Sequence, residues 1–431
     1  MMEEGVLDRG LKKTVDWRLI VVYLLIMLFG WINIYAAVRS GEPSSIFDLG
    51  FNCGKQALWI AGAVVIAAVV LFVLNPYMWE SISRPAYGVV LVLLVLVIFL
   101  SSNVKGSHSW FELGPVKFQP AELSKITTSL LLASLMSLPG FKMSNWKHVL
   151  LAVAVVMLPM LVIVGESETG SALVYVGFIF VLYREGLSGW WLGLMGMAVL
   201  LFVVTLKTAW WVSLILVAIF AAVYLIYYLP RVTSLRFKRR IIRLAVIGFI
   251  TGVALVFAAD FFFHKVLKDY QRERIEVLLG MKEDLRGVGY NVHQSLIAIG
   301  SGGLFGKGYL HGTQTTFGFV PEQSTDFIFC TVGEEWGFVG CFLVILMYGL
   351  LIFWLVQDAD RSRTAFTRIY GYCVAACFFM HLSINLGMTL GLMPVIGIPL
   401  PLFSYGGSSL WAFTVLLFIF IALDRQEKKY F

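Results

Sequence analysis

Charged residues are scarce in this sequence. Asp, Glu, Lys and Arg make up 14% of its 431 residues, whereas soluble domains carry about 25%. Hydrophobic residues make up 59%, and the mean hydropathy is +0.85. This composition excludes a soluble protein and predicts an integral membrane protein. The apolar runs are continuous rather than alternating, which excludes an outer-membrane barrel and favours transmembrane helices.

Cysteine is also scarce, and its spacing indicates no metal site. The five cysteines are scattered, mostly within apolar runs, and none has the spacing of a metal-ligand set. We interpret them as buried, unreactive thiols. No nucleic-acid-binding motif is present either, so the net charge of +7 needs another explanation.

Apolar runs of about 20 residues, the length that spans a bilayer, recur along the chain. About twelve can be counted, although two are so short that ten or eleven spans also fit. We therefore predict an all-α polytopic membrane protein with about 10–12 transmembrane helices. The predicted spans are residues 18–38, 56–75, 85–102, 122–138, 147–164, 170–184, 190–206, 209–228, 241–262, 327–356, 366–391 and 405–423.

Lysine and arginine cluster in four short segments, which explains the positive net charge. They are the N-terminus, residues 231–243, residues 358–368 and the C-terminal tail. With twelve spans all four lie on one side, and the positive-inside rule assigns that side to the cytoplasm. Both termini are then cytoplasmic, and the basic segments face anionic membrane lipids. The first span is too long for a signal peptide and is interpreted as an uncleaved anchor.

Two long loops fall on the opposite, outer side. They are residues 102–121 and residues 264–325, and a loop as long as the second is usually functional or disordered. Its aromatic residues favour an ordered lid or groove, with a short amphipathic helix near residues 270–280. No segment is large enough to form a soluble domain, so residues 1–431 are predicted to be one membrane domain.

The stretch "GLMPVIGIPLPLFSYGGSSL", residues 391–410, interrupts apolar sequence with three prolines and several glycines. Irregular backbone at membrane depth needs protein or a watery cavity to satisfy it. One interpretation is a re-entrant wall of a polar cavity, with Tyr405, Ser408 and Ser409 as hydrogen-bonding groups. The alternative is a tight loop that caps a helix.

Residues 106–126 place Gln119, Glu122 and Lys125 at intervals of three, so they share one helix face. Ionisable groups within membrane segments usually face a cavity, although a salt-bridged helix end explains the same spacing. Trp110 is interpreted either as a membrane-interface residue or as a platform for a sugar ring.

Acidic residues lie at two further predicted membrane boundaries. Glu166 and Glu168 occupy a short outer turn, which is either a solvated hairpin tip or part of the same outer cavity. In "FVPEQSTDFIF", residues 319–329, Glu322 and Asp326 stand at the entrance of a long apolar run, where a charge is costly to hold.

The long outer loop adds cationic and polar groups to this side. Its glycine run, "GSGGLFGKG", is a weak signal for a phosphate cradle, and the isolated histidines favour structural roles. The acids and bases that converge on one outer-facing site suit a lipid-pyrophosphate sugar donor, in which cations hold the diphosphate and a carboxylate takes a hydroxyl proton. They are Glu122, Glu168, Glu322, Asp326, Lys117, Lys125, Arg272 and Arg274.

Several of these stretches resemble motifs of the SEDS (shape, elongation, division and sporulation) family of peptidoglycan glycosyltransferases, which includes RodA and FtsW. They are "QPAELSK", "DYQRERI", "QSLIAIGSGGLFGKG", "PEQSTDFIF", "GEEWGFVG" and "NLGMTLGLMPVIGIPLPLFSYGGSS", in the family's order and over most of the chain outside 185–260. The stretch "GKGYLHGTQTTFGFVPEQSTDFIF" is more similar to the RodA branch.

The resemblance implies a function in the cytoplasmic membrane of a bacterium. It implies polymerisation of lipid II through β-1,4 bonds, with inversion, for cell elongation and rod shape. It places the catalytic acid at Asp326 and a cavity pair at Glu122 and Lys125. The substrate-binding residues expected from the motifs and the loop charges together are Glu122, Lys125, Lys117, Trp110, Gln119, Glu168, Arg272, Arg274, Gln294, Glu322, Tyr405 and Ser408.

The resemblance also implies a class B penicillin-binding protein as partner, alongside other elongation-complex proteins. It leaves open a requirement for a divalent cation (Mg or Mn). Two departures from the family pattern stand out. The family's "PDLG" turn is Ser167–Gly170 here, with glutamate in place of aspartate, and residues 185–260 hold three apparent spans where the family usually has one.

Two other functions fit parts of the sequence. A lipid II flippase would also use broken helices and intramembrane charges, but a transporter places its charges near the bilayer midplane, whereas these cluster toward the outer face. A non-catalytic scaffold of the cell-wall complex would not need so many charged groups.

Overall fold

The structure, a computed structural model, describes residues 15–39, 45–101, 109–113, 116–282, 287 and 289–430. Most of it is helical. The helices are α1 (Trp17–Val38), α2 (Asn52–Ala68), α3 (Met78–Leu100), α4 (Pro120–Met136), α5 (Trp146–Gly165), α6 (Thr169–Val174), α7 (Phe178–Arg184), α8 (Trp190–Lys207), α9 (Trp210–Tyr228), α10 (Leu235–Phe261), α11 (Asp269–Leu278), α12 (Tyr290–Ser301), α13 (Thr313–Thr316), α14 (Ile328–Arg361), α15 (Ala365–Thr389) and α16 (Gly407–Tyr430).

Within the described residues, ten helical segments are long and apolar enough to cross a membrane. Together with α4, which has 17 residues, and the shorter apolar segment Thr169–Arg184, they account for the twelve predicted spans. The all-α polytopic fold is therefore confirmed. One short antiparallel ribbon accompanies it, formed by β1 (Phe111–Leu113) and β2 (Val116–Phe118).

Two predicted spans are not continuous helices. Helix α14 is kinked at Gly337, whose φ of 63° and ψ of −157° are not helical, and the span at residues 170–184 is broken as well. Residues 170–184 divide into α6 and α7, which are separated by a 3-10 turn at Tyr175–Gly177. A Cβ atom on Gly177 would lie 2.4 Å from Cγ of Met380, so the chain approaches α15 closely at this turn. Apolar composition predicted the length of the segment but not the break.

The described chain divides into two compact units, Met1–Leu187 with Asn291–Phe431, and Ser188–Tyr290. The second unit contains α8, α9 and α10, three helices in the region where three spans were expected. Within the second unit, Thr205 donates a hydrogen bond to Ser213.

The long loop contains the short helix that the sequence predicted. A helix at Asp269–Leu278 occupies the predicted position near 270–280. The single membrane domain and the outer placement of the long loop stay predictions.

The core of the first unit is centred on α15 and α16, whose residues are mostly buried. Helix α15 packs against α14 and α4, α14 packs against α1, and α16 packs against α2. Helices α2, α3 and α5 expose much of their apolar surface, as expected of lipid-facing helices. The polar groups that face this core therefore lie away from lipid.

A seventeen-residue segment without helix, residues 390–406, joins α15 to α16. Much of it is buried, including Ile398 and Phe403. Its backbone groups are satisfied by neighbouring parts of the unit: the Tyr405 N–H donates to the Ser324 carbonyl at 2.9 Å, and Tyr348 Oη donates to the Pro401 carbonyl. The segment is therefore an irregular stretch that leads directly into the first turn of α16, and the polar cavity that it was predicted to line stays a prediction. We name residues 394–401 the proline wall.

Gly30 on α1 provides a test of this packing. A Cβ atom there would lie 2.4 Å from the carbonyl oxygen of Phe403, whereas nothing lies within 4 Å of a Cβ on Gly88 of α3. We expect Gly30→Ala to lower the free energy of unfolding by about 1–3 kcal/mol through overpacking. Gly88→Ala should leave it unchanged or slightly raise it, because alanine favours helix. SDS titration measures the free energy of unfolding of both variants. An equal change in the two would contradict the close approach of Gly30 to Phe403.

Candidate active site

Asp326 lies in the turn that leads into α14. The Glu322 carbonyl accepts hydrogen bonds from the Thr325 and Phe327 N–H groups at 3.1 and 3.2 Å, and the Glu322 carboxylate accepts one from Thr325 Oγ1. Glu322 adopts a φ of 55° to make this turn. Asp326 is half-buried. The turn thus presents the Asp326 side chain while Glu322 shapes the backbone, and the predicted contact of Glu322 with substrate stays a prediction.

Asp326 faces the proline wall. A Cβ atom on Gly397, where φ is 74°, would lie 3.3 Å from Oδ2 of Asp326. Glycine at this position therefore leaves room beside the carboxylate. On the neighbouring side, Asn385 of α15 donates to the Asp326 backbone carbonyl at 2.8 Å and to the Ile398 carbonyl at 2.7 Å.

A buried charge network lies behind the same wall. Lys125 Nζ donates to Glu122 Oε1 at 2.8 Å and lies 2.9 Å from Nε2 of His381. All three side chains are almost fully buried, and the Phe413 ring centroid lies 5.1 Å from Lys125 Nζ. His381 Nδ1 lies 3.3 Å from the Pro399 carbonyl. The predicted pair of Glu122 and Lys125 is thus a contact, and His381 joins it.

Glu168 lies in a turn that contacts the wall through Gly170. It precedes α6, and its carboxylate accepts a hydrogen bond of 2.6 Å from Ser109 Oγ. A Cβ atom on Gly170 would lie 2.9 Å from Ile398 and 3.0 Å from the Ile396 carbonyl. The turn that resembles the family's "PDLG" motif therefore packs directly against the proline wall.

Glu166 is buried beside this turn. Only 1% of its surface is exposed, and neither carboxylate oxygen has a hydrogen-bond partner within the described residues. Burial, and then the nearby charge of Glu168, raise the pKa of Glu166 to about 8. The carboxyl group is therefore mostly protonated at neutral pH, which does not fit a solvated hairpin tip.

The segment between α3 and α4 contributes further predicted site residues. Trp110 is half-buried and follows Ser109 directly, and Gln119 is buried at the start of α4. Lys117 pairs with Glu112 in the ribbon by backbone register. The Lys117 side chain and residues 102–108 and 114–115 lie outside the described part of the chain.

The remaining predicted site residues are less closely linked. The Tyr405 N–H ties that residue to the Asp326 turn through Ser324, and Ser408 lies half-buried in the first turn of α16. Gln294 is half-buried on α12, which is fixed to α15 by a Ser295–Thr389 hydrogen bond. Arg272 and Arg274 belong to the second unit, where they contact Asp269 and the Tyr270 ring, respectively.

The glycine run packs against α14 rather than forming a phosphate cradle. Cβ atoms on Gly302 and Gly306 would lie 1.9 and 2.1 Å from the carbonyl oxygens of Gly333 and Glu335. Buried Glu334 of α14 then accepts hydrogen bonds from Lys307 and from the N–H groups of α13. Sequence reasoning missed the role of Glu334, and it also missed Asn385, Ser109 and the contact of His381 with Lys125. For Asn385, Glu334 and His381, the available signal was a polar group within an apolar helix.

Metal ligands do not gather in the described residues. No group of three or more His, Cys, Asp or Glu side chains there could hold a metal ion.

Three chemically different groups are linked to the proline wall. Asp326 lies beside Gly397, Glu168 belongs to the turn that packs on the wall through Gly170, and Lys125 reaches the wall through His381. A carboxylate at the edge of a membrane segment can accept a proton from a hydroxyl group. A lysine in a region of low polarity attracts anionic groups more strongly than in water. The arrangement suits transfer between an uncharged nucleophile and an anionic leaving group.

Comparison with known proteins places this arrangement in context. The FTSW_RODA_SPOVE family model, described as a cell cycle protein, matches residues 16–241 and 232–429. The peptidoglycan glycosyltransferase MrdB of Escherichia coli K12 is 32% identical over 400 residues, which cover 93% of this chain and 90% of that protein. The peptidoglycan glycosyltransferase RodA of Treponema pallidum is 28% identical over 96% of this chain and 98% of its own.

Solved structures share the fold. One, from a study titled "Structural coordination of polymerization and crosslinking by a peptidoglycan synthase complex", has a TM-score of 0.67 and 26% identity, and covers 96% of this chain and 98% of its own. The rod shape determining protein RodA of Thermus thermophilus has a TM-score of 0.60 and 24% identity, with 96% and 97% coverage.

The raised pKa of Glu166 predicts a pH-dependent stability. The folded protein holds this proton more tightly than the unfolded chain, whose glutamate has the ordinary value of 4.5. The stabilisation is complete below that value and is lost as the pH rises through about 8. Glu166→Gln, which imitates the protonated form, should therefore unfold at higher SDS than wild type at alkaline pH. Glu80→Gln, at an exposed glutamate of α3, is the control and should leave the pH dependence unchanged. The prediction would be contradicted if the stability of the wild-type protein rose with pH. It would also be contradicted if Glu166→Gln left the SDS concentration of unfolding unchanged at alkaline pH.

The buried ion pair predicts non-additive stability changes. Lys125→Met leaves a buried carboxylate without its partner and should cost about 3–5 kcal/mol. Adding Glu122→Gln should restore part of this loss, because the unpaired charge is then removed. Arg184→Met, at an ion pair that is half-exposed, should cost less than about 1 kcal/mol. Additive losses at Glu122 and Lys125 in SDS titrations would exclude direct coupling.

Proposed function

Because the chain belongs to the FtsW, RodA and SpoVE family of cell cycle proteins, we propose that it polymerises lipid II into β-1,4 glycan strands. The chain is a multi-pass inner-membrane protein and a peptidoglycan glycosyltransferase. The proposal adds the substrate, the stereochemistry and the residues that carry the reaction.

The proposed reaction is a single displacement at the anomeric carbon of the donor sugar. A hydroxyl oxygen of the acceptor sugar forms the new bond to that carbon, and the bond from the carbon to the lipid-pyrophosphate oxygen breaks. The electron pair of that bond leaves with the pyrophosphate. The hydroxyl proton passes to the Asp326 carboxylate. Attack opposite the leaving group inverts the anomeric carbon, so one general base is sufficient.

The position of Asp326 is the observation that carries this assignment. It is half-buried in a closed turn, and Gly397 leaves space beside its carboxylate. A partly desolvated carboxylate is a stronger base than one in water, and general base catalysis is typically worth about 10²–10⁴-fold. Glu322 and Asn385 hold the turn, so the carboxylate has a defined direction.

Cationic groups are proposed to bind the pyrophosphate. Lys125 is the candidate inside the unit, where its charge is balanced by Glu122 until an anionic ligand enters. Lys117, Arg272 and Arg274 are the candidates in the loops. Gln119, Glu168, Trp110, Gln294, Tyr405 and Ser408 are proposed to contact the sugar and lipid portions.

Topology and partner complete the proposal. The basic segments support cytoplasmic termini and an extracytoplasmic active site. A class B penicillin-binding protein is the proposed partner for crosslinking, supported by the structural likeness to a peptidoglycan synthase complex. Elongation of a rod-shaped cell is the proposed setting.

Substitution of Asp326 tests the proposal. With the partner present and lipid II supplied, we expect Asp326→Ala and Asp326→Asn to lower polymer formation by about 10²–10⁴-fold, because the base is lost. Asp360→Asn, at the opposite end of α14, is the matched control and should retain activity. Gel analysis of the glycan product measures this.

Each outcome points to a different function. If Asp326→Ala formed polymer at the wild-type rate, the protein would still be a polymerase, but Asp326 would not be its general base. If folded wild-type complex made no polymer, a lipid II translocation assay would test the flippase, and failure of both would favour the scaffold.

A further inference from the structure

We propose that Asn385 and His381 of α15 are positioning residues. They hold the Asp326 turn and the proline wall in a fixed position relative to each other. The proposal deepens the proposed function, on which it rests for the role of Asp326. The two residues are four apart, so they project from the same face of α15. Neither has to touch the substrate.

Asn385 binds both parts with one amide group. Its two N–H bonds donate to the Asp326 and Ile398 carbonyl oxygens at 2.8 and 2.7 Å. Both facing atoms are acceptors, so only the amide nitrogen, and not Oδ1, can point toward them. The Asn385 side chain is completely buried. Removal of its amide group would take a hydrogen-bond donor away from each of the two carbonyl groups, which is costly where water is absent.

His381 holds the next residue of the wall. Lys125 carries only donors, so Nε2 of His381 accepts its hydrogen bond at 2.9 Å. The ring proton is therefore on Nδ1, which donates to the Pro399 carbonyl at 3.3 Å. Adjacent carbonyl groups of the wall, at Ile398 and Pro399, are thus bound by two residues of one helix.

The consequence for catalysis follows from the geometry. Gly397 of the wall lies against Asp326 Oδ2, so a shift of either part changes the direction of the carboxylate. Misplacement of a reacting group by about 1 Å can cost about 10²-fold in rate. The same helix also connects the Glu122–Lys125 pair to the turn, through His381. Loss of the Asn385 bonds should therefore impair turnover without removing a substrate contact.

Kinetics distinguish positioning from general destabilisation. We expect Asn385→Ala to lower kcat about 10- to 100-fold with KM for lipid II changed less than about twofold. Asn385→Asp, which keeps the shape but replaces the donor, should be equally impaired. Asn33→Ala is the matched control: Asn33 is also completely buried, but it donates to the Phe29 carbonyl of its own helix. It should keep kcat.

Hydrogen exchange provides a second readout that does not depend on activity. In the intact complex, Asn385→Ala should raise deuterium uptake in peptides covering residues 322–328 and 394–401, and Asn33→Ala should not. His381→Gln, which lacks the Nδ1 donor, should raise uptake at 394–401 more than His381→Asn, which retains a donor at that position.

The two readouts separate failure of this proposal from failure of the proposed function. Increased deuterium uptake at both segments in Asn385→Ala, together with a loss of kcat that Asn33→Ala does not show, supports the positioning role. Unchanged uptake at both segments in Asn385→Ala overturns it, as does an equal loss of kcat in Asn33→Ala. If wild type forms no polymer, the proposed function fails, and the exchange pattern still decides whether α15 holds the turn.

Discussion

The non-helical backbone of residues 390–406 needs hydrogen-bond partners from outside the segment, and the rest of the first unit depends on this constraint. Proline prevents helix there, and a buried carbonyl or N–H group without a partner costs several kcal/mol where water is absent. The neighbouring parts of the unit therefore bring polar atoms to it: Gln56 of α2 to the Gly406 N–H, Tyr348 of α14 to Pro401, and Asn385 and His381 of α15 to Ile398 and Pro399. These hydrogen bonds add directional contacts to helices that also pack through apolar side chains.

This requirement also organises the chemistry. Asn385 satisfies the wall and the Asp326 carbonyl with one amide, and His381 joins the wall to Lys125. The atoms that stabilise the irregular backbone are thus the atoms that set the distances among the functional groups. A membrane protein without this segment could bury the same helices, but it would have no structural reason to bring Asp326, Glu168 and Lys125 around a single short stretch of chain.

Much of the fold could be predicted because it depends on local composition. The apolar runs predicted twelve segments and the interruption at 391–410, and the motif around "PEQSTDF" indicated Asp326. The break at Tyr175–Gly177 could not be predicted, because it depends on contact with Met380. The roles of Asn385 and Glu334 were missed for the same reason: their partners lie 13 to 59 and 19 to 27 residues away. The glycines of "GSGGLFGKG" indicated close approach, but only the structure shows that a helix backbone, rather than a phosphate, is the neighbour.

Stability alone does not explain the buried pair of Glu122 and Lys125. Desolvating two charges costs about as much as their attraction returns, and apolar residues of similar size often serve as well or better. One oxygen of Glu122 also lacks a hydrogen-bond partner within the described residues, which makes the pair less favourable still. The proposed function accounts for this cost if an anionic phosphate takes the place of Glu122 at Lys125. In that proposal His381, which contacts both Lys125 and the Pro399 carbonyl, links the group that binds the pyrophosphate to the wall beside Asp326.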